Sequence, residues 1–382
     1  MSPSERKKSK SAEIAAVSPP DLTLTKVLED DGTIAPGNDP KIDDAVLLRA
    51  YREMRRLRIL DARMIMLQRQ GRVGFYGAAE GQEAVPIATG LALGAEDWVF
   101  PALREQSVML VRGFPLKTFV AQIFGNSGDV LRGRQMPSHQ SGRAVHQVSW
   151  SSCIGPQIPQ AVGAAWAMKL EKSKKVAVGF SGDGATSQPD FHNAMNFAGV
   201  FKVPAVIVCQ NNQWSISVPR SRQTASTTIA VKGRAYGVPS YYVDGNDVLA
   251  MYKVLTDAIE RARAGMGPTF IEALTYRIGA HSTSDDPTRY RSEEEVLAWK
   301  KKDPLDRLRL HLAKKSLVTD ASDTELDAEL TAEVAKAVSE VEDLAPPPRS
   351  TIFDDVYATL PWHLREQRDE LESMPKAPAH GA

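Results

Sequence analysis

Between Val176 and Ser217 the chain runs strand, turn, helix, strand, turn, and few folds accept that order at that spacing. Val176-Ala177-Val178-Gly179-Phe180 is a continuous apolar run of the kind buried on both faces of a parallel sheet. Gly182-Asp183-Gly184-Ala185-Thr186 follows it. Gln188 to Val200 then carries apolar residues at helical spacing (Phe191, Ala194, Met195, Ala198), and Ala205-Val206-Ile207-Val208-Cys209 is a second apolar strand that delivers Asn211-Asn212-Gln213-Trp214. Asp183 and Asn212 lie 29 positions apart, the length of one strand, one crossover helix and the next parallel strand. Such a unit brings both polar tips to the same carboxyl edge of the sheet, where open α/β folds bind ligands.

The rest of the chain repeats the alternation. Asp43 to Gln70 has helical periodicity ended by Gly71 and Gly74; Glu80-Gly81-Gln82-Glu83 opens a helix running to about Gly94. Trp98-Val99-Phe100 reads as a strand with Arg104-Glu105 just past it. Gln157 to Leu170 is a helix whose Ala161, Gly163, Ala164 and Ala165 permit close packing on a sheet. Tyr241-Tyr242-Val243 and Thr269 to Ala273 are further strands around a helix from Asp247 to Gly265. Asp303-Pro304 caps an amphipathic C-terminal helix through Leu305, Leu308 and Leu312, and Ala345-Pro346-Pro347-Pro348 ends the helical region. The expected fold class is α/β, a doubly wound, mainly parallel sheet with helical N- and C-terminal extensions. The expected division is a flexible arm over 1–40, an α/β domain over 41–345 and a C-terminal tail over 346–382. With 47 basic and 47 acidic residues, the chain has no charge bias towards nucleic acid or a membrane surface. No apolar run nears the roughly 20 residues that span a bilayer. Two cysteines, Cys153 and Cys209, in apolar or small-residue surroundings point to reduced thiols in a cytosol.

An acid and an amide oxygen meeting at one sheet edge suit a small hard cation such as Mg²⁺, which keeps few protein ligands and shares substrate phosphates. The flanking glycines allow backbone N–H groups to approach a phosphate. Asp-Gly and Asn-Asn are also ordinary turn dipeptides, and only their joint spacing favours the cofactor reading. A dinucleotide motif fails because Ser187 stands where the third glycine belongs. The arrangement resembles the thiamine-diphosphate fingerprint, in which a Gly-Asp-Gly segment and a later Asn-Asn pair hold Mg²⁺ and the diphosphate.

Four further segments sharpen the resemblance: Gly133 to His139, Ser151 to Gln160, Val243 to Asp247, and Thr275 to Pro287 with the loop His281 to Arg291. Together they are similar to the α subunit of branched-chain 2-oxo acid dehydrogenases, from about Asp43 to Asp355-Val356-Tyr357. The resemblance implies that Asp183 and Asn212 hold Mg²⁺ through side chains and Trp214 through its carbonyl. It further implies that Gly184 and Ala185 offer N–H groups to the diphosphate and that Arg104, Ser152 and His281 add side-chain donors. Ile154 would meet the aminopyrimidine and Ile216 would wedge under the bent cofactor; the plain alternative for both is a core aliphatic. Trp214 stands where Tyr is common, Leu103 where Tyr is frequent, Gln210 where some members have Arg, and Pro156 where a potassium-binding Thr occurs.

The implied reaction is decarboxylation of a branched-chain 2-oxo acid and transfer of the acyl group to a lipoyl domain. No carboxylate for the aminopyrimidine is evident, so a β chain would complete the site in an α₂β₂ assembly docked on a lipoyl acyltransferase core, in a bacterial cytosol or a mitochondrial matrix. A pyruvate- or acetoin-specific homologue, an inactive regulatory or scaffold relative, and a phosphate-binding protein without thiamine stay open as alternatives. Ser292 fits a helix N-cap. In mitochondrial relatives the serines matching Ser282 and Ser292 are phosphorylated. The loop 279–291, polar and charged, is expected to be mobile without ligand because it has little apolar surface to offset its ordering.

Overall fold

The computed structural model describes residues 22–375. The strands are β1 (Leu24–Thr25), β2 (Trp98–Phe100), β3 (Ala177–Gly182), β4 (Ala205–Asn211), β5 (Trp214–Ser215), β6 (Val218–Pro219), β7 (Ser240–Asp244) and β8 (Thr269–Leu274). The helices are α1 (Asp44–Arg69), α2 (Ala84–Ala92), α3 (Gln106–Val111), α4 (Leu116–Phe124), α5 (Gln157–Leu170), α6 (Pro189–Phe201), α7 (Val248–Arg263), α8 (Glu293–Lys300), α9 (Pro304–Lys314), α10 (Asp320–Ser339) and α11 (Trp362–Ser373). Six strands pair in the order β1-β7-β8-β4-β3-β2, every pair parallel, while β5 and β6 form a small antiparallel hairpin. The chain steps inward from β2 to β4, jumps to β7, and returns by α7 to place β8 beside β4. The carboxyl ends of β3, β4 and β8 therefore open into one crevice, the ligand position of such sheets.

Period-two alternation sorts the strand residues between two faces. Val178, Phe180, Val206, Val208, Ile271 and Ala273 join the core with α2 and α7. Ala177, Ala205, Ile207, Cys209 and Phe270 join the core with α5 and α6. Gly179 lies under Ala161 of α5, where a Cβ would come within 2.8 Å, so the small residues of that helix do let it settle closely on the sheet. A third core joins the C-terminal half of α1 to α4 and α10 through Leu60, Met64, Leu67, Phe119, Ile123, Val334 and Val338.

The ends of the chain depart from expectation. Residues 1–21 of the expected arm lie outside the described residues, but 22–40 are docked. Leu24 and Thr25 pair with Tyr242 and Val243, and Val27 and Leu28 are buried. Asp30 meets the buried Arg307 at 2.5 Å, and Arg307 also holds Asp244 at 2.9 Å. The amphipathic helix expected from Asp303-Pro304 is α9, and α10 follows it in the same helical region, parted from it at Ser316, whose φ of +59° no helix accepts. Within the expected tail α11 forms, and 376–382 lie outside the described residues. The helix expected from Glu80 begins at Ala84, because Gly81 takes φ +89° and 80–83 form a turn. Asp303 and Ser292 cap their helices as expected.

Asp247 anchors the N-terminal segment. One carboxylate oxygen caps α7 through Leu249 N and Ala250 N at 3.0 Å each, and the other takes the N–H groups of Val27 and Leu28 at 2.6 Å each. A lost cap costs about 1 kcal/mol and each buried N–H left without a partner about 1–3 kcal/mol. Asp247→Ala is therefore expected to destabilise the protein by at least about 3 kcal/mol and to speed amide exchange at Val27 and Leu28. Unchanged exchange there shows that β1 is held by something else.

Candidate active site

β3 ends in Gly182, and the chain turns directly into a 3₁₀ segment, Asp183–Ser187. Asp183 is 2% exposed, and its Oδ2 has no hydrogen-bond partner. Burial raises its carboxyl to about 6 against the opposing pull of backbone N–H groups at 183 and 184 and of Arg277 and Arg220. β4 delivers Asn211, whose Nδ2 donates to the buried Glu272 at 2.7 Å, and then Asn212. Asn212 donates to Gln82 Oε1 at 2.9 Å and accepts the Trp214 N–H at 3.2 Å on Oδ1. The hairpin that follows lies against the first turn. A Cβ at Gly184 would come 2.2 Å from Ser215 Oγ and 2.8 Å from Ser215 Cβ, so only glycine lets hairpin and turn touch. Ala185, next to it, is buried.

The hairpin tip carries Ile216, 54% exposed and at φ +54°. A β-branched residue in the left-handed region is strained, and such strain persists only where surrounding contacts enforce it. Here the contact is Arg277, which donates to Ile216 O at 2.7 Å, to Trp214 O at 3.4 Å and to Tyr290 Oη at 2.8 Å. Ile216 and Ile154, 60% exposed, are not core residues, which removes the plain alternative for both.

Arg104, 3% exposed, donates to Ala78 O and, at 2.5 Å, to His281 O. Burial and the Arg277 charge lower it to about 10. His281 is half-buried; burial first, then Arg104 and Arg277, depress its imidazole to about 4, so it is neutral at physiological pH. The 281–291 loop is pinned by polar contacts. Asp285 Oδ2 accepts from His281 N at 2.7 Å and from the Tyr290 hydroxyl, and Arg291 donates to the carbonyls of Arg277, Ile278 and Gly279. Thr283 Oγ1 is buried without a partner.

Asp183, Asn212, Trp214, Gly184, Ile216, Arg104 and His281 thus share one edge, linked through Arg277, Gln82 and the hairpin. Ser152 and Ile154 sit on the separate, exposed loop 151–156, where Ser152 Oγ pairs with His139 Nε2 at 2.5 Å. Gly155 of that loop packs on Gln188, at the entry to α6. Gln210 is buried and donates to Glu105, which in turn accepts the Ala102 N–H at 2.7 Å and the Arg104 N–H at 3.2 Å. The residue in place of Arg thus helps fix the segment that carries Arg104. Sequence reasoning did not single out Arg277 or Gln82. The available signal was a charge at a strand end for the first and a polar residue after Gly81 for the second.

Among the described residues no three His, Cys, Asp or Glu side chains converge as a metal cage. The cluster instead offers one carboxylate oxygen without a partner, one amide oxygen and carbonyl oxygens, beside two buried guanidinium groups and a neutral imidazole. That donor set suits a magnesium ion shared with an anionic phosphate, since Mg²⁺ takes few protein oxygens and leaves the rest to water and phosphate. Arg offers a fork of donors that fits phosphate oxygens.

The family model described as dehydrogenase E1 component matches residues 51–349. The chain is 42% identical over 357 residues to the 2-oxoisovalerate dehydrogenase subunit alpha 2, mitochondrial, of Arabidopsis thaliana, covering 92% of this chain and 76% of that one. Against the mitochondrial 2-oxoisovalerate dehydrogenase subunit alpha of Bos taurus it is 40% identical, with 92% and 77% covered. Against that of Homo sapiens it is 39% identical, with 92% and 79% covered.

The depressed imidazole gives a pH test. A histidine whose folded value lies below the ordinary 6.5 binds its proton less well when folded, so it withdraws stability as pH falls from about 6.5 towards 4. In the cofactor-free protein the His281 ring, followed by carbon-13 NMR, is expected to titrate near 4. A midpoint near 6.5 shows that burial and the two arginines do not act on it.

Proposed function

The chain belongs to the dehydrogenase E1 component family, and we propose that it acts as the α subunit of a branched-chain 2-oxo acid dehydrogenase using thiamine diphosphate and Mg²⁺. The observation that carries the reading is the buried Asp183 carboxylate with a free oxygen, set at one sheet edge with Asn212 and beside Arg104, Arg277 and His281. Asp183, the Asn212 amide oxygen and the Trp214 carbonyl would hold the cation; each of those last two oxygens has a second lone pair beyond the hydrogen bond it now accepts. Gly184 and Ala185 would turn backbone N–H groups, and Arg104 and His281 side-chain donors, towards the diphosphate. Ser152 and Ile154 would close on it from the 151–156 loop, and Ile216 would support it from the hairpin tip.

When bound, thiamine diphosphate supplies the nucleophile and the electron sink for decarboxylation. The chain's own residues supply binding, orientation and charge. Neutral His281 carries one ring proton at physiological pH, so it would either donate to the diphosphate or stabilise negative charge during decarboxylation or acyl transfer, and not both at once. Arg104 holds the His281 carbonyl, and Asp285 holds its N–H, so the ring is presented from both sides of its own backbone. Asp183 is assigned to the cation, and the other carboxylates near this edge, Asp285 and Glu272, are taken up by His281 N and by Asn211 and Ala230, so the acid needed at the aminopyrimidine would come from a β subunit. An α₂β₂ assembly delivering the acyl group to a lipoyl acyltransferase core follows from that division. Cys153 and Cys209 are unpaired, as suits a reducing compartment, and no helix among the described residues is long and apolar enough to cross a membrane.

Two measurements test this reading. Asp183→Ala, assembled with the β subunit, is expected to lose thiamine-diphosphate binding in calorimetric titration while keeping its secondary structure; wild-type affinity removes the metal assignment. The wild-type assembly is expected to process 3-methyl-2-oxobutanoate and 4-methyl-2-oxopentanoate with kcat/KM at least about 10- to 200-fold above pyruvate, the range that a single extra methylene discriminates. The α chain alone should show no turnover. A best rate with pyruvate assigns the chain to the pyruvate-specific branch instead.

A further inference from the structure

Behind the two polar tips runs a buried hydrogen-bonded path that none of the site roles above uses. It starts at Glu272 on β8, 1% exposed. Its Oε1 accepts from Asn211 Nδ2 at 2.7 Å, and its Oε2 accepts the Ala230 N–H at 2.7 Å. Ala230 opens the 3₁₀ segment Ala230–Tyr236, which carries Lys232. Lys232 Nζ donates to Thr186 Oγ1 at 2.9 Å and to Thr186 O at 3.1 Å, and Thr186 Oγ1 donates onward to Asp183 O at 2.8 Å. Glu272 thus joins the residue before Asn212 to the 3₁₀ segment, and that segment's Lys232 reaches Asp183 through Thr186.

The lysine is unusual in where it spends its donors. It is half-buried, and its ammonium reaches a hydroxyl and a carbonyl of the 183–187 turn and no carboxylate within ion-pair distance among the described residues. Burial pulls its pKa down while Glu272 and Cys209 oppose the fall. A buried cation costs free energy unless its hydrogen bonds are made, so a lysine kept here fixes the atoms it bonds. Those atoms belong to Thr186, 1% exposed, at the far end of the turn that presents Asp183 and Gly184.

We propose that Lys232 is a positioning residue which, tied to β4 through Glu272 and to Asp183 through Thr186, sets the separation of the two tips that hold the divalent cation. This rests on Asp183 and Asn212 being the cation's ligands. Partners one step behind metal ligands contribute about 10- to 100-fold in metal affinity, and for Lys232, which stands one step further back than Thr186, the lower end of about 10-fold is expected.

The test uses the assembled α₂β₂ protein with thiamine diphosphate present and Mn²⁺ as the probe, bound metal being counted by electron paramagnetic resonance. Lys232→Met keeps the stem and removes the ammonium. Its Kd for Mn²⁺ is expected to rise about 10-fold, with the thermal midpoint of the cofactor-free protein unchanged. Lys232→Arg should restore most of the affinity. Thr186→Val should weaken binding by itself, and the double variant should be no worse than the weaker single, because both act through one contact. Wild-type Mn²⁺ affinity in Lys232→Met overturns the proposal, as does a loss matched by a lowered midpoint and not rescued by Arg. Additive losses in the double variant overturn the route through Thr186. Failure of the wild-type protein itself to bind Mn²⁺ with thiamine diphosphate defeats the functional reading, and the positioning role falls with it; loss in the variants alone leaves the reading standing.

Discussion

The ligand-binding edge hangs on one guanidinium. Arg277 lies just past β8, is 1% exposed, and binds the Trp214 and Ile216 carbonyls and the Tyr290 hydroxyl. The hairpin lies 61 positions before Arg277 and Tyr290 of the loop 13 after it, and this side chain ties both to the end of β8. The work needs several donors in a fixed planar fork; a lysine ammonium has fewer and holds no such plane. Among the described residues no ion pair within 4 Å neutralises Arg277, and its Nε is buried without a partner. Burial therefore lowers its pKa, with Tyr290, Asp285 and Asp183 offsetting part of the fall.

Burial dominates the electrostatics of the crevice, and the same residue adds to it. Burial pushes Arg104 and His281 towards their neutral forms with the Arg277 charge acting in the same direction, while burial pushes Asp183 towards its own against the pull of Arg277. At all four groups the charged form is thus less favoured than it is in water. A cation beside Asp183 and an anion beside the arginines would relieve every one of these shifts together. The cofactor reading joins those demands, since a metal diphosphate carries both charges in one ligand.

Much of the fold was legible because local pattern and final environment agree. The buried strands β3, β4 and β8 are unbroken apolar runs, and α5 carries small residues because the sheet lies against it. The unit from Asp183 to Asn212 could be placed at one edge from its length alone. Three things were not legible. The docking of residues 22–40 depends on Asp247 and Arg307, more than 200 positions away, and polar residues with a proline look like a solvated arm until those partners are present. The 281–291 loop looked unanchored because its ties are carbonyls and carboxylates, which hydropathy does not register. Arg277, Gln82 and Lys232 lacked any motif of their own; each acts by reaching backbone or amide atoms brought near only by the folded chain.

The borders of the sheet carry a consequence of a different kind. β1 is two residues long and β2 three, so neither flank presents enough unpaired backbone for a strand from another chain to add. Six parallel strands would otherwise make a ready template for edge-to-edge growth. With both flanks blunt, the sheet is a closed unit at its sides, and association with other chains is left to helix surfaces and to the crevice rather than to the ladder of strands.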